Sequence, residues 1–361
     1  MTMLLTDPDA LVVGDGPFAV DTEFHAENCY HPRLHLLQVR APGAPAQLID
    51  THDARLMAAL ADRLVSRPWI VHAGRIDLPL LARTLGSVPE TVHDTQIAAG
   101  LVQTKYPAGL ADLLERWCGV HLDKGETLSD WSRRPLTPGQ ITYAAQDVAH
   151  LHALWDALSS RAAELGRSEI LAAACTEARD VAVAGPDDRD AWLQIPGARA
   201  LDVPAAGILR RLAAWREDVA RRSDRPAPTV LGNRVLLELA RRAPVGDALL
   251  QGRRAPKRTL HAHADALQDA ITGGPRDIEG IPGPIRAGSP EAARLAWWTA
   301  WAEARALADG WSASLVIPPS DRDDLALGGP GPTGWRASLL GEDLPAARRG
   351  DRPLALPSTI P

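Results

Sequence analysis

The sequence predicts an α/β domain, a mixed sheet flanked by helices, followed by two small all-α domains. Three observations carry this. Residues 18–50 hold three short apolar stretches separated by brief turns. Strand-like and helix-like stretches then alternate to about residue 165. Beyond residue 203 the apolar spacing is helical throughout. A length of 361 residues suits two or three domains, and 45% hydrophobic residues suffice for real cores.

The first three stretches are FAVDTEF, LHLLQVRA and AQLID, with His31-Pro32 and Pro42-Gly43 supplying turn chemistry. Such short connections favour antiparallel hairpins. ARLMAALADRLVS has helical apolar spacing, WIVHAG is a short buried strand, and DLPLLARTLG is a helix closed by Gly86. TVHDTQIAAGLV passes from strand into helix, and GLADLLERWCG is a helix stopped by Gly119. A further helix starts at the Thr137 cap with Pro138 in its first turn and is expected to run to about Leu165. Another follows near 168–181.

The expected layout is an α/β domain over 1–182, a linker at 183–202 and a helical bundle at 203–275. A second linker at 276–288 and a last helical domain at 289–361 complete it. The Trp297, Trp298 and Trp301 cluster reads as the core of that last bundle.

Composition excludes several classes. The N-terminus lacks the basic and apolar regions of a signal peptide, and no apolar run approaches a membrane span. Cys29, Cys118 and Cys175 lie far apart and form no C-x-x-C, so a reduced, cytoplasmic protein is expected, with no obligate protein partner evident. Net charge is −6, but Leu201–Pro275 carries a local +5, leaving −11 elsewhere. An acidic body with a basic appendage suits an enzyme that holds cations in one place and a polyanion in another.

The acidic chemistry starts at Asp21-Thr22-Glu23. Strand alternation puts Asp21 and Glu23 on one face, where two like charges need a positive partner. A metal ion or a basic side chain would serve. Asp277-Ile278-Glu279 repeats the spacing, but in a Gly- and Pro-rich stretch that reads as linker. Asp77 follows a strand, and Asp147 lies one helical turn after Tyr143, on the same face. Four carboxylates around two divalent ions are a common arrangement for phosphoryl chemistry.

DTEF, YHPRLHLLQV, HAGRIDLPLL, HDTQIAAGL and YAAQD together resemble the DEDD 3′→5′ exonucleases, and more closely the ribonuclease D family. GVHLDKGETLSDWSRRPLTPGQITYAAQDVAHL is the most specific stretch. RRLAAWREDVARRSDRP with LLELARRAP is similar to the nucleic-acid-binding HRDC domain of that family, and GWRASLLGEDLPAARRGDRPLAL to its C-terminal end. Tyr143, four residues before Asp147, places the resemblance in the tyrosine branch.

The resemblance implies a ribonuclease H-like catalytic domain and two HRDC-like helical domains. It also implies two Mg²⁺ or Mn²⁺ ions and release of nucleoside 5′-monophosphates from RNA 3′ ends, with tRNA precursors and other small structured RNAs as substrates. Asp21 would bridge the ions. Glu23 and Asp147 would complete the site of the attacking water, and Asp77 would support the second ion, with Asp94 as its rival. Tyr143 would orient the water; a free tyrosine titrates near ~10 and suits that role better than that of a base.

Thr22, Phe24, Lys124, Trp131 and Arg134 are the candidate substrate contacts, with packing or salt bridging as the plainer alternative for the last three. Arg210, Arg211, Arg221, Arg222, Arg253, Arg254, Lys257 and Arg258 are candidates for phosphate contacts, against a merely solvated basic face. His72 and His93 read as core histidines. A DNA exonuclease of the same branch and an inactive RNA-binding scaffold are the competing readings.

Overall fold

The computed structural model describes residues 3–122, 129–185, 187, 190–250, 257–273, 278 and 280–351. Two compact units divide the chain. One comprises residues 1–25, 33–185 and 294–361, the other 26–32 and 186–293.

The first unit is built on a six-stranded sheet, β1 (Met3–Leu5), β2 (Phe18–His25), β3 (Arg33–Arg40), β4 (Gln47–Asp50), β5 (Trp69–Val71) and β6 (Val92–Asp94). Its order is β1-β4-β3-β2-β5-β6. The β2-β3-β4 meander is antiparallel, as its short turns require. β1, which pattern reading did not mark, adds in parallel to β4 at the edge, and β5 and β6 extend the other side in parallel.

Helices α1 (Ala54–Val65), α2 (Asp77–Leu85), α3 (Thr95–Val102), α4 (Leu110–Cys118), α5 (Pro138–Ala149), α6 (Leu151–Glu164) and α7 (Ser168–Ala184) surround the sheet. On one face Phe18, Val20, Leu37 and Val39 pack with Leu56, Leu60 and Leu81 of α1 and α2. On the other, Ala19 and Ile70 meet Val148 and Leu151, while Leu36 and Leu48 meet Trp131 and Ala144. Alternation along β2 therefore turns Asp21 and Glu23 toward α5. A register shift between Glu23 and Phe24 interrupts the regular ladder, which resumes with Phe24 opposite Leu34 and His25 opposite Arg33.

The expected single helix from Thr137 to Leu165 is two helices that meet at His150 (φ −117°, ψ 3°). The Arg40 guanidinium takes the Ala149 carbonyl at 2.7 Å. That carbonyl is one an uninterrupted helix would spend internally.

The second unit contains α8 (Val203–Ser223), α9 (Ala227–Val230), α10 (Asn233–Arg242), α11 (Asp247–Leu250), α12 (Lys257–Ala262) and α13 (Ala264–Thr272). Its core joins Leu209 and Leu212 of α8 to Leu236, Leu260 and Leu267. The D-x-E at Asp277 and Glu279 lies outside the described residues.

The last segment departs from expectation. α14 (Pro290–Asp309), α15 (Ala313–Val316), α16 (Pro319–Ala326), α17 (Gly334–Leu340) and α18 (Asp343–Arg349) make no separate bundle. Trp298, Trp301, Trp311, Leu315 and Trp335 share one core with Leu101, Leu154 and Leu171 of α3, α6 and α7. The Ser312 N–H donates to the Gly100 carbonyl at 2.8 Å. Arg167 donates to the carbonyls of Leu101 and Asp309, each at 2.6 Å. Gly100 permits this approach, because a Cβ there would lie 2.6 Å from a Leu315 methyl.

Candidate active site

Two elements bring the acidic cluster together. β2 supplies Asp21 and Glu23, and α5 supplies Asp147. α5 is fixed at its start by a capping box: the Gln140 N–H donates to Thr137 Oγ1 and the Thr137 N–H donates to Gln140 Oε1. Ala144 and Val148 seat it on the sheet, and that sets Asp147 over β2. One carboxylate oxygen from each of Asp21, Glu23 and Asp147 lies within 4.8 Å of the others.

Burial dominates the electrostatics of all three. Asp21 is driven well above the ordinary carboxylate range by burial, then by the charges of Asp147, Asp77 and Glu23. Glu23 is pushed to about 8 by burial and by Asp147 and Asp77. Burial alone raises Asp147 to about 7. Among the described residues, no cation offsets these shifts. A converging set of half-buried carboxylate oxygens fits a hard divalent ion, which would replace the protons the cluster otherwise retains.

Asp77 stands just outside that trio. It opens α2, and the buried Thr22 hydroxyl donates to its Oδ1. Burial raises it to about 6, against the Thr22 hydrogen bond, which lowers it. Thr22 thus positions Asp77. The rival Asp94 is otherwise employed. Its carboxylate accepts from the N–H groups of Ala73, Gly74, Gln96 and Ile97, capping α3 and tying it to the β5–α2 loop. Tyr143, one turn before Asp147, is half-buried. His72 is paired with the Thr95 hydroxyl at 2.9 Å, and His93 stacks on Trp155.

Two candidate substrate contacts need correction. Trp131 is 2% exposed and packs among Leu36, Leu48 and Ala144, so no base can stack on its ring. Arg134 spends all five donors within the fold. Nε and Nη2 grip Asp50 at 2.6 and 2.7 Å, and the remaining hydrogens go to the carbonyls of Trp131, Arg133 and His35. It is a clamp between the loop before α5 and the sheet. Phe24 is half-buried just past the register shift, and Lys124 lies outside the described residues.

The basic candidates of the helical unit also divide. Arg211 donates to the Ala270 carbonyl at 2.6 Å and fastens α13 to α8. Arg222 pairs with Asp218 at 2.5 Å, and Arg221 lies over the Tyr30 ring at 5.6 Å. Arg210 is half-buried on α8. Lys257 and Arg258 are exposed at the start of α12, and Arg253 and Arg254 lie outside the described residues. Sequence reading missed a different set. A cleft of about 460 Å³ is lined by Arg241 and Arg286, and an adjoining one of about 360 Å³ by Arg234, Arg241 and Arg242. The i, i+7 spacing of Arg234 and Arg241 on the polar face of α10 was the available signal.

A half-buried carboxylate cluster on a mixed sheet, with a tyrosine one turn before its last member, defines the class, and comparison with known proteins agrees. Residues 7–163 match the family model described as 3′-5′ exonuclease, and residues 205–257 match the HRDC domain. Ribonuclease D of Xanthomonas oryzae is 38% identical over 70% of this chain and 71% of its own. Ribonuclease D of Gluconacetobacter diazotrophicus is 32% identical over 95% and 90%. The crystal structure of Escherichia coli RNase D, described as an exoribonuclease involved in structured RNA processing, superposes with a TM-score of 0.72. It does so at 26% identity, covering 92% of this chain and 93% of that one. The chain belongs to the ribonuclease D family and is a 3′→5′ exoribonuclease of the DEDD superfamily, whose chemistry is metal-dependent.

Proposed function

We propose that Asp21, Glu23, Asp77 and Asp147 hold two divalent ions, Mg²⁺ or Mn²⁺, and that the chain releases nucleoside 5′-monophosphates stepwise from RNA 3′ ends. The convergence of the Asp21, Glu23 and Asp147 carboxylates carries this reading. Such ions lower the pKa of water and neutralise charge building on the phosphate and the leaving 3′ oxygen.

The chain's own residues do the rest. Asp21 would serve both ions, Glu23 and Asp147 would hold the first, and Asp77, fixed by Thr22, would hold the second. Tyr143 holds the attacking water by its phenol and aims it at the terminal phosphodiester. Phe24, at the strand end beside Glu23, packs against the terminal nucleotide. In the helical unit Arg234, Arg241 and Arg286 track phosphates, with Lys257 and Arg258 as further exposed charges. The substrates we infer are tRNA precursors and other small structured RNAs in the cytoplasm. Among the described residues, no helix is long and apolar enough to cross a membrane.

The test incubates the protein with 3′-tailed RNA and with the same sequence as DNA, in Mg²⁺ or Mn²⁺, beside Asp147→Ala. Mononucleotide release from RNA, abolished by EDTA and by the substitution, is expected. Preference for DNA would overturn the substrate assignment. Full activity in Asp147→Ala would overturn the site.

A further inference from the structure

Next to the carboxylates lie buried polar atoms of Gln38 and Trp131 that the proposed site does not use. Gln38 sits in the middle of β3, 0% exposed. It stands opposite Asp21 on one side and Leu48 on the other, so its side chain shares their face of the sheet, beneath α5. Among the described residues neither its Nε2 nor its Oε1 has a hydrogen-bond partner. Two more buried atoms in this layer are likewise unpaired, Trp131 Nε1 and Asp147 Oδ2. Trp131 packs on Leu36 and Leu48, the residues flanking Gln38, and Ala144, on the turn before Asp147, closes the same cluster.

Buried polar groups without partners are rare in folded proteins, and an apolar side chain of the same shape would be cheaper here. The unpaired atoms are complementary: two donors, Trp131 Nε1 and Gln38 Nε2, and two acceptors, Gln38 Oε1 and Asp147 Oδ2. Ligation of an ion takes one oxygen of a carboxylate and leaves the other for a donor.

We propose that Gln38 is a positioning residue for the metal site: the four atoms are not bonded to one another in this structure, and with an ion bound Oε1 would accept from the Trp131 indole while Nε2 donates to Asp147 Oδ2. The relay would orient the Asp147 carboxylate beside Asp21 when an ion is held there. Outer hydrogen bonds of this kind set the direction of a ligand's lone pairs. The proposal rests on Asp21, Glu23 and Asp147 being the metal site.

Gln38→Met keeps the shape and removes both polar atoms, and Trp131→Phe removes the indole N–H. For each, and for Asp21→Asn, we would measure Mn²⁺ affinity by calorimetry, thermal midpoint in EDTA, and kcat on tailed RNA. In Gln38→Met the expected results are Mn²⁺ binding weakened roughly 10–100-fold, a parallel loss in kcat, and a midpoint in EDTA equal to or above that of the natural chain. Trp131→Phe should shift affinity in the same direction by less. A lowered midpoint with Mn²⁺ affinity unchanged within twofold would mean a purely structural role and overturn the proposal. If Asp21→Asn abolishes Mn²⁺ binding while Gln38→Met does not change it, only the relay fails. If neither substitution changes binding, the site itself is misassigned and the relay falls with it.

Discussion

Loading the acidic cluster with Mn²⁺ at pH 7 should release protons, and their number follows from the burial of the site. With Glu23 raised to about 8, Asp147 to about 7 and Asp77 to about 6, the metal-free cluster at pH 7 retains on the order of one to two protons, shared among these carboxylates. Asp21, also driven upward, adds to this. Metal requires the ionised carboxylates, so roughly two protons leave on saturation. Calorimetric titration in buffers of different ionisation enthalpy reads that number directly. It should fall as pH rises past about 8, where Glu23 ionises. The same shifts act on stability. These groups ionise near their ordinary values in the unfolded chain but hold protons in the folded one. In EDTA, stability is therefore fully present below about pH 4 as far as these groups are concerned. It is lost as pH rises toward 8, by about 1.4 kcal/mol per pH unit for each group still protonated. Heats that do not depend on the buffer at pH 7 would refute the reasoning, because the carboxylates would already be ionised.

Three further outcomes are expected. Arg134→Ala should destabilise the α/β unit by about 1–3 kcal/mol, read as a lower denaturation midpoint with little change in KM for RNA, and Arg134→Lys should recover little, since a lysine cannot grip Asp50 with two parallel bonds. Arg241→Ala and Arg286→Ala should each weaken RNA binding and flatten its dependence on log salt by about 0.7, while Arg222→Ala, already paired with Asp218, should do neither. Trp311→Ala should cost about 3–5 kcal/mol and lower the unfolding midpoint of the catalytic unit itself.

Much of the site was legible because its spacings are local. Alternation along β2 places Asp21 and Glu23 on one face, and a one-turn separation relates Tyr143 to Asp147, with the cap at Thr137 marking where that helix begins. Other features depend on distant partners. Asp77 and Asp94 are alike in sequence, and only the four N–H groups gathered around Asp94 tell them apart. Arg134 looked free to meet a phosphate because its partner, Asp50, lies 84 residues earlier. The carbonyl freed at the break beside His150 is taken by Arg40, more than a hundred residues before it. A tryptophan-rich helix is equally suited to its own bundle or to someone else's core, so the partners of Trp298 and Trp301 could not be read from periodicity.

The return of the C-terminal segment to the catalytic core has a consequence for synthesis. The α/β unit is discontinuous, and its core lacks Trp298, Trp311 and Trp335 until the ribosome has passed well beyond the helical unit. At ordinary translation rates, making residues 186–340 takes roughly 10–30 s, during which the nuclease half is chemically complete but structurally unfinished. The expected consequence is that a growing chain gains its nuclease activity only when it is nearly made. Chains stalled on the ribosome at residue 293 should accordingly be protease-sensitive across α3, α6 and α7, and full protection at that length would refute the idea.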